Sequence, residues 1–471
     1  MGTIWEPDQL TGQGPKYRAL SMMIRDSIAS GALREGEKLP PVRELAWHLS
    51  ITPGTVARAY TVLTDEGVLR AEVGRGTFVA QPEGAKPIYK EPLIEEDSAI
   101  HNAETEGYQV NLVSPHLPSV GQAALIRQLL GEVAEDPPSG MMHYPNRRNQ
   151  QPAVDVAAEW MSATALDNVH PRQVVLTHGG QNAILTTMQT ILRGRKPAVL
   201  VEALSYPGFR RAAELLRADV VPVEMDEYGI RPDALEEAAR MHDAQILCTS
   251  PEVHNPTCIC TPLERRREIA AIAQQHNIQI IDDDCYRLGQ AQAPGYRRLA
   301  PDISWHISSV SKSITPALRI GIAVAPEARA GHLRRTAENS FFGIATPMAD
   351  LTAKLFADPR LPGLMEKAKS EIEEYVKSAV NILGSYDLRW RADVPFMFLY
   401  LPSGWRAGAF VQAAEAEGVR IRPAEEYAAR EARAPHAVRF AINAGVGRQN
   451  FEAAIGRLRS LLDNPPEQIN V

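Results

Sequence analysis

Cysteine is scarce in this chain: Cys248, Cys258, Cys260 and Cys285 are the only four in 471 residues. So few thiols make no disulfide framework, and they fit a reducing cytoplasm better than an oxidising exterior. The Cys258-x-Cys260 pair has no second pair or histidine cluster beside it, which favours free, partly buried thiols over a metal site. Positive charge is not in excess either, since 50 Lys and Arg face 57 Asp and Glu for a formal charge of −7. That excludes a generic polyanion binder, and any nucleic-acid contact must come from a local arrangement of arginines. No uninterrupted apolar run is long enough to cross a bilayer. Residues 1–9 lack the basic start and apolar core of a signal peptide, so none is expected. The chain does have length for two or three folding units, and its 44 % apolar residues can fill a large core.

Near the start, Tyr17, Leu20, Ile24 and Ile28 recur at helical spacing and Gly31 follows as a stop. A polar turn over 34–38 and Leu39-Pro40-Pro41 lead into a second short helix over 42–49, with Leu45, Ala46 and Leu49 on its apolar face. Residues 50–54 read as a tight turn and 55–66 as a third helix carrying Val56, Tyr60 and Leu63 inward. Residues 68–73, Gly74-Arg75-Gly76 and 77–80 then read as strand, turn and strand. This order describes a winged helix-turn-helix, whose third helix enters the major groove and whose hairpin tip, Arg75, reaches backbone or minor groove. From order and spacing alone, a small helical bundle without a ligand stays open as the alternative.

The residues themselves are more specific. Glu37-Lys38-Leu39-Pro40-Pro41-Val42-Arg43-Glu44-Leu45-Ala46, Thr55-Val56-Ala57-Arg58-Ala59-Tyr60 and Gly74-Arg75-Gly76-Thr77-Phe78-Val79 closely resemble the GntR-family DNA-binding domain. The resemblance implies that Arg43, Thr55, Arg58 and Arg75 contact double-stranded operator DNA. Pro53 and Gly54 depart from it, standing where the family commonly has arginine or another polar residue. The head is assigned to residues 1–80. Residues 81–108 mix Pro82, Pro87 and Pro92 with Glu95-Glu96-Asp97, hold no helical or strand period, and read as a linker.

Over 109–471 apolar strand-like runs, at 174–176, 198–201, 245–248 and 278–281, alternate with amphipathic helices. Such alternation indicates an α/β domain with a largely parallel sheet, whose chemistry gathers at the carboxyl ends of the strands. Thr177-His178-Gly179-Gly180-Gln181 follows the first run, where glycines let backbone amides approach an anion at a helix start. A plain strand-to-helix turn is the commoner explanation. Ser205-Tyr206-Pro207-Gly208 presents a ring after the second run, for packing or for stacking on a cofactor. Asp282-Asp283-Asp284 follows the fourth. Three adjacent carboxylates suit a metal or a protonated pyridine nitrogen, and a solvated acidic loop is disfavoured after so apolar a strand. In Ser309-Val310-Ser311-Lys312-Ser313, with Arg319 and Gly321 beyond, a lysine lies among hydroxyls near an arginine. A desolvated lysine suits a Schiff base and the arginine a phosphate, which together propose pyridoxal phosphate. A solvated loop is the bland alternative for this segment taken alone.

The order Gly180, Tyr206, Asn255, Asp283, Tyr286, Lys312, Arg319, Arg439 resembles the fold type I pyridoxal phosphate enzymes, the aspartate aminotransferase group. His254-Asn255-Pro256-Thr257 is similar to their Asn-Pro-Thr-Gly motif, with Cys258 in place of the glycine, and Val438-Arg439-Phe440 to the strand holding their carboxylate-binding arginine. The resemblance implies a large parallel-sheet domain with a smaller C-terminal α+β subdomain, and pyridoxal 5′-phosphate as cofactor. It implies Lys312 as the Schiff-base lysine, Asp283 on the ring nitrogen, Asn255 and Tyr286 on the ring hydroxyl, and Tyr206 stacked on the ring. Gly180, Gln181, Ser309 and Arg319 would bind the phosphate, and Arg439 the carboxylate of an incoming amino acid. Tyr144 falls where these enzymes lend a tyrosine to the neighbouring subunit, although Asn146-Arg147-Arg148-Asn149 replaces the usual glycine-containing turn.

A GntR-type head on an aminotransferase-like body resembles the MocR subfamily of transcription regulators. That implies a cytoplasmic, head-to-tail swapped homodimer that senses a small amine or amino acid by external aldimine formation at Lys312. An aminotransferase that also carries a DNA-binding domain is the rival expectation, and a regulator sensing pyridoxal phosphate itself is a third.

Overall fold

The computed structural model describes residues 5, 16–34, 36–72, 76–80, 110–140, 142–430 and 432–465. They divide into two compact units, residues 1–97 and 98–471.

In the first unit, helices α1 (Lys16–Ala29), α2 (Val42–His48) and α3 (Pro53–Asp65) precede strands β1 (Leu69–Glu72) and β2 (Gly76–Val79). The 3.6-residue periodicity places Leu20 and Ile24 of α1 against Val56, Ala59 and Leu63 of α3, all fully buried. The helix α3 begins two residues earlier than the sequence suggests. Thr52 is its N-cap, accepting from the Thr55 amide at 3.3 Å. Pro53 fits the first helical position because its missing N–H would have no partner there. The turn is made instead at Ser50, whose φ is 51°. The hairpin β1–β2 is antiparallel with Leu69 opposite Val79. A third short segment joins it: Leu39 donates to Thr77 O at 2.8 Å, and Val79 donates to Glu37 O at 2.8 Å. The wing is thereby tied to the chain that enters α2. Arg75 and the linker at 81–108 lie outside the described residues.

The second unit is built on a seven-stranded sheet: β3 (Val174–Thr177), β4 (Ala198–Glu202), β5 (Asp219–Val223), β6 (Ala244–Thr249), β7 (Gln279–Asp283), β8 (Ser304–Ser309) and β9 (Gly321–Val324). The spatial order is β3-β9-β8-β7-β6-β4-β5. All neighbours pair in parallel except β9, which is antiparallel to both β3 and β8. Three of the seven strands, β3, β4 and β9, are buried at every residue, as expected when helices cover both faces of a sheet. Their carboxyl ends are polar: Thr177, Glu202, Thr249, Asp283 and Ser309 end their strands and are all buried.

A smaller antiparallel sheet has the order β10-β11-β13-β12, from β10 (Leu388–Arg389), β11 (Phe396–Tyr400), β12 (Arg422–Pro423) and β13 (Ala437–Ala441). Residues 110–111 pair in parallel with 419–420. Val110 and Leu112 share one apolar core with Leu399, Phe440 and Leu458, so residues 110–112 pack with the C-terminal part of this unit. Among the described residues no helix is long and apolar enough to cross a membrane.

Candidate functional site

Four chain segments converge at the carboxyl ends of β3, β4, β7 and β8. After β3, Gly179 has φ +82° and precedes helix α4 (Gly180–Ile191). A Cβ on Gly179 would lie 2.6 Å from Arg319 Nη2 and 2.9 Å from its Cζ. A Cβ on Gly180 would lie 2.7 Å from Cys285 Sγ and 3.6 Å from Ser309 Cβ. The two glycines therefore let an exposed guanidinium and a helix N-terminus approach one another, as an anion-binding corner requires. Gln181 donates to Gly208 O at 2.9 Å, and its Oε1 is buried without a hydrogen-bond partner among the described residues. Ser309 Oγ donates to Ile320 O at 3.0 Å and lies 3.0 Å from Ser311 Oγ.

The three aspartates separate because side chains alternate along a strand. Asp282 accepts from the Tyr296 amide at 3.1 Å, and Asp284 pairs with Arg287 at 2.7 Å. Asp283 accepts the Cys285 amide at 3.1 Å and has the Cys285 thiol beside it, and burial pushes its carboxyl up to about 6. A carboxylate so placed calls for a cation opposite it. Among the described residues no group of three His, Cys, Asp or Glu side chains suits a metal ion. All four cysteines are free thiols.

Tyr206 precedes helix α5 (Pro207–Leu215), and its ring meets Phe209 edge-on at 5.9 Å. Burial raises its phenol, and Tyr286 and Asp283 nearby add to the rise. Tyr286 is the hub of the remaining contacts. Lys312 Nζ lies 5.5 Å from its ring centroid and Arg439 Cζ lies 5.9 Å from it. Arg439, on β13, is 2 % exposed, with Cζ 4.2 Å from the Phe396 centroid and Nη1 donating to Val113 O at 2.9 Å. Its Nε and Nη2 have no hydrogen-bond partner among the described residues. Asn255 is buried with its Oδ1 likewise unpartnered, and Cys258 takes a φ of 62° where the related motif has glycine.

The structure thus gathers Gly180, Gln181, Tyr206, Asp283, Tyr286, Ser309, Lys312, Arg319 and Arg439 around one end of the sheet, with Asn255 on the same edge. Tyr144 stands apart, 83 % exposed, with its ring 6.2 Å from Phe342. Gly179, read in sequence only as one of a glycine pair, and Cys285 and Phe396, not singled out there, lie beside the gathered residues. Gly179 had a signal in its glycine pair, whereas Cys285 and Phe396 act through tertiary contacts alone. In the head, Arg43 is exposed in the first turn of α2, Thr55 is half-buried and Arg58 exposed on α3.

These features fit pyridoxal phosphate: a two-glycine corner with an arginine, an uncompensated buried carboxylate, a lysine beside an aromatic ring, and orphaned donors on a buried arginine. Comparison with known proteins points the same way. Residues 124–458 match the family "Aminotransferase class I and II", and residues 16–79 match "Bacterial regulatory proteins, gntR family". The uncharacterized HTH-type transcriptional regulator YdeF of Bacillus subtilis is 27 % identical over 98 % of this chain and 97 % of its own. The HTH-type pyridoxine biosynthesis transcriptional regulator PdxR of Corynebacterium glutamicum is 28 % identical over 66 % of each chain. Among solved structures, an archaeal alanine:glyoxylate aminotransferase superposes with a TM-score of 0.67 at 20 % identity, covering 78 % of this chain and 93 % of its own, which speaks to the fold. The chain belongs to the class I and II aminotransferase family through its body and carries a GntR-family head, the two-part make-up of the MocR subfamily.

Proposed function

We propose that this chain is a DNA-binding transcription regulator whose body holds pyridoxal 5′-phosphate and senses a small amine or amino acid at Lys312. The observation that carries the reading is the approach of both Lys312 and Arg439 to the one Tyr286 ring. One end of that arrangement suits an amine, and the other offers two unpartnered guanidinium nitrogens to a carboxylate. When bound, the cofactor supplies a carbonyl carbon at which amines exchange. Lys312 would be the resident amine there, and the amine of an effector would displace it.

The chain's own groups set the conditions. Asp283 would hold the proton on the ring nitrogen, Asn255 and Tyr286 would hold the ring hydroxyl, and Tyr206 would pack against the ring. Gly180, Gln181, Ser309 and Arg319 hold the phosphate. Arg439 orients the effector by its carboxylate, and Tyr144 completes the site of a second copy in a head-to-tail homodimer, where its exposure would end. Arg43, Thr55, Arg58 and Arg75 contact operator DNA, from a head spanning 1–80 on a linker spanning 81–108. Exchange at Lys312 regulates only if the effector prefers one arrangement of the heads. A cytoplasmic location follows from this role.

The test combines visible absorption of the cofactor-loaded full chain with DNA binding, over a panel of amines and amino acids. A carboxylate-bearing amine should shift the absorption band and alter DNA affinity without releasing a keto acid. If no amine changes either signal, the sensor reading fails. Because Lys312, Asp283 and Arg439 are all in place, a working aminotransferase is the second reading, and catalytic release of keto acid would establish it. If cofactor alone changes DNA affinity and no amine does, the vitamin form is the effector.

A further inference from the structure

In the head, α1 and α3 meet at a cluster of one tyrosine and two arginines, Tyr17, Arg18 and Arg58. Arg58 projects from α3 into solvent, yet its Cζ lies 4.3 Å from the centroid of the Tyr17 ring on α1. Tyr17 is half-buried and packs on the head's apolar core, so the ring has a fixed seat. Its hydroxyl accepts from Arg18 Nε at 3.2 Å, and Arg18 Cζ lies 5.9 Å from the same ring. The hydrogen bond from Arg18, with the Arg18 and Arg58 charges, holds the phenol below its usual range.

A free arginine side chain samples many rotamers and must be ordered when it binds. A ring face held by the core selects those that lay the guanidinium over it, through attraction between the cation and the ring. We infer that Tyr17 is a positioning residue for Arg58, its ring presetting the guanidinium that α3 offers to DNA. Helix α1 thereby takes part in recognition without touching a base. This rests on the reading of Arg58 as a DNA contact.

The test uses the full-length protein and a duplex selected by it from a random-sequence pool, with affinity read by fluorescence anisotropy. Tyr17→Phe keeps the ring face and should bind within about twofold of the original chain, while Tyr17→Leu should lose about two- to fivefold. In an Arg58→Ala background, Tyr17→Leu should cost nothing further, because there is no guanidinium left to place. An equal loss from Tyr17→Leu in both backgrounds would show that the ring acts on packing and overturn the inference. So would Tyr17→Phe falling as far as Tyr17→Leu, which would assign the effect to the hydroxyl. If Arg58→Ala alone binds like the original chain, the DNA-contact reading fails, and the inference falls with it.

Discussion

Asp283→Asn should stabilise the cofactor-free protein while weakening its hold on the cofactor. Burial lifts the Asp283 carboxyl from 3.8 to about 6. The folded chain therefore binds this proton more tightly than the unfolded chain, and stability falls as pH rises from about 4 to about 6. At 1.36 kcal/mol per pH unit, the full penalty above pH 7 is about 3 kcal/mol, and about half of it is present at pH 5. Asparagine carries no such penalty. Denaturant midpoints of cofactor-free wild type and variant, followed on the body's signal, should differ by about 3 kcal/mol at pH 8 and roughly half that at pH 5. Loading with pyridoxal phosphate should reverse the order at pH 8, since a protonated ring nitrogen supplies the cation that Asp283 lacks. A variant no more stable than wild type at pH 8, or a gain independent of pH, would refute the account of this carboxylate.

Gly179→Ala should cost about 1–3 kcal/mol in backbone strain and displace Arg319, and equilibrium dialysis should show faster loss of cofactor. Borohydride reduction should fix the cofactor's mass to the wild-type chain but not to Lys312→Ala, as read by intact mass spectrometry. Arg439→Gln should weaken carboxylate-bearing amines about tenfold or more, since a hydrogen bond to a charged group is worth about 1.5–3 kcal/mol, and leave simple amines unchanged in the absorption titration. Arg43→Ala should lower the slope of log affinity against log salt by about 1 and leave the absorption spectrum as it was.

Local chemistry made much of this molecule legible. The helical spacing of Leu20 and Ile24, and the polar residues after each apolar strand, lead directly to the two units and to the edge where the site lies. What escaped depends on partners far away in sequence. A strand buried on both faces reads the same in either direction, so the antiparallel course of Gly321–Val324 has no local mark. Pro53 and Gly54 look like turn residues, yet proline at a helix start is as natural as proline in a turn, and the Thr52 side chain decides between them. Phe396 lies under the Arg439 guanidinium only because β11 pairs with β13. Asp282 to Asp284 read as one acidic cluster until the pleat sends Asp283 away from its neighbours.

The antiparallel insertion of β9 between β3 and β8 also has a consequence for how the protein is made. Gly179 leaves β3 and Arg319 leads into β9, and every other strand of the large sheet lies between them in the chain. Their meeting is a contact of high sequence separation, and closing such a loop is slow. The corner of Gly179 and Arg319 can therefore form only after the ribosome has released β9 and the sheet has closed over it. A ligand that binds only the closed form stabilises it by mass action. Any ligand held by that corner would therefore lower the population of the open sheet at equilibrium, and with it the chain's exposure to proteases.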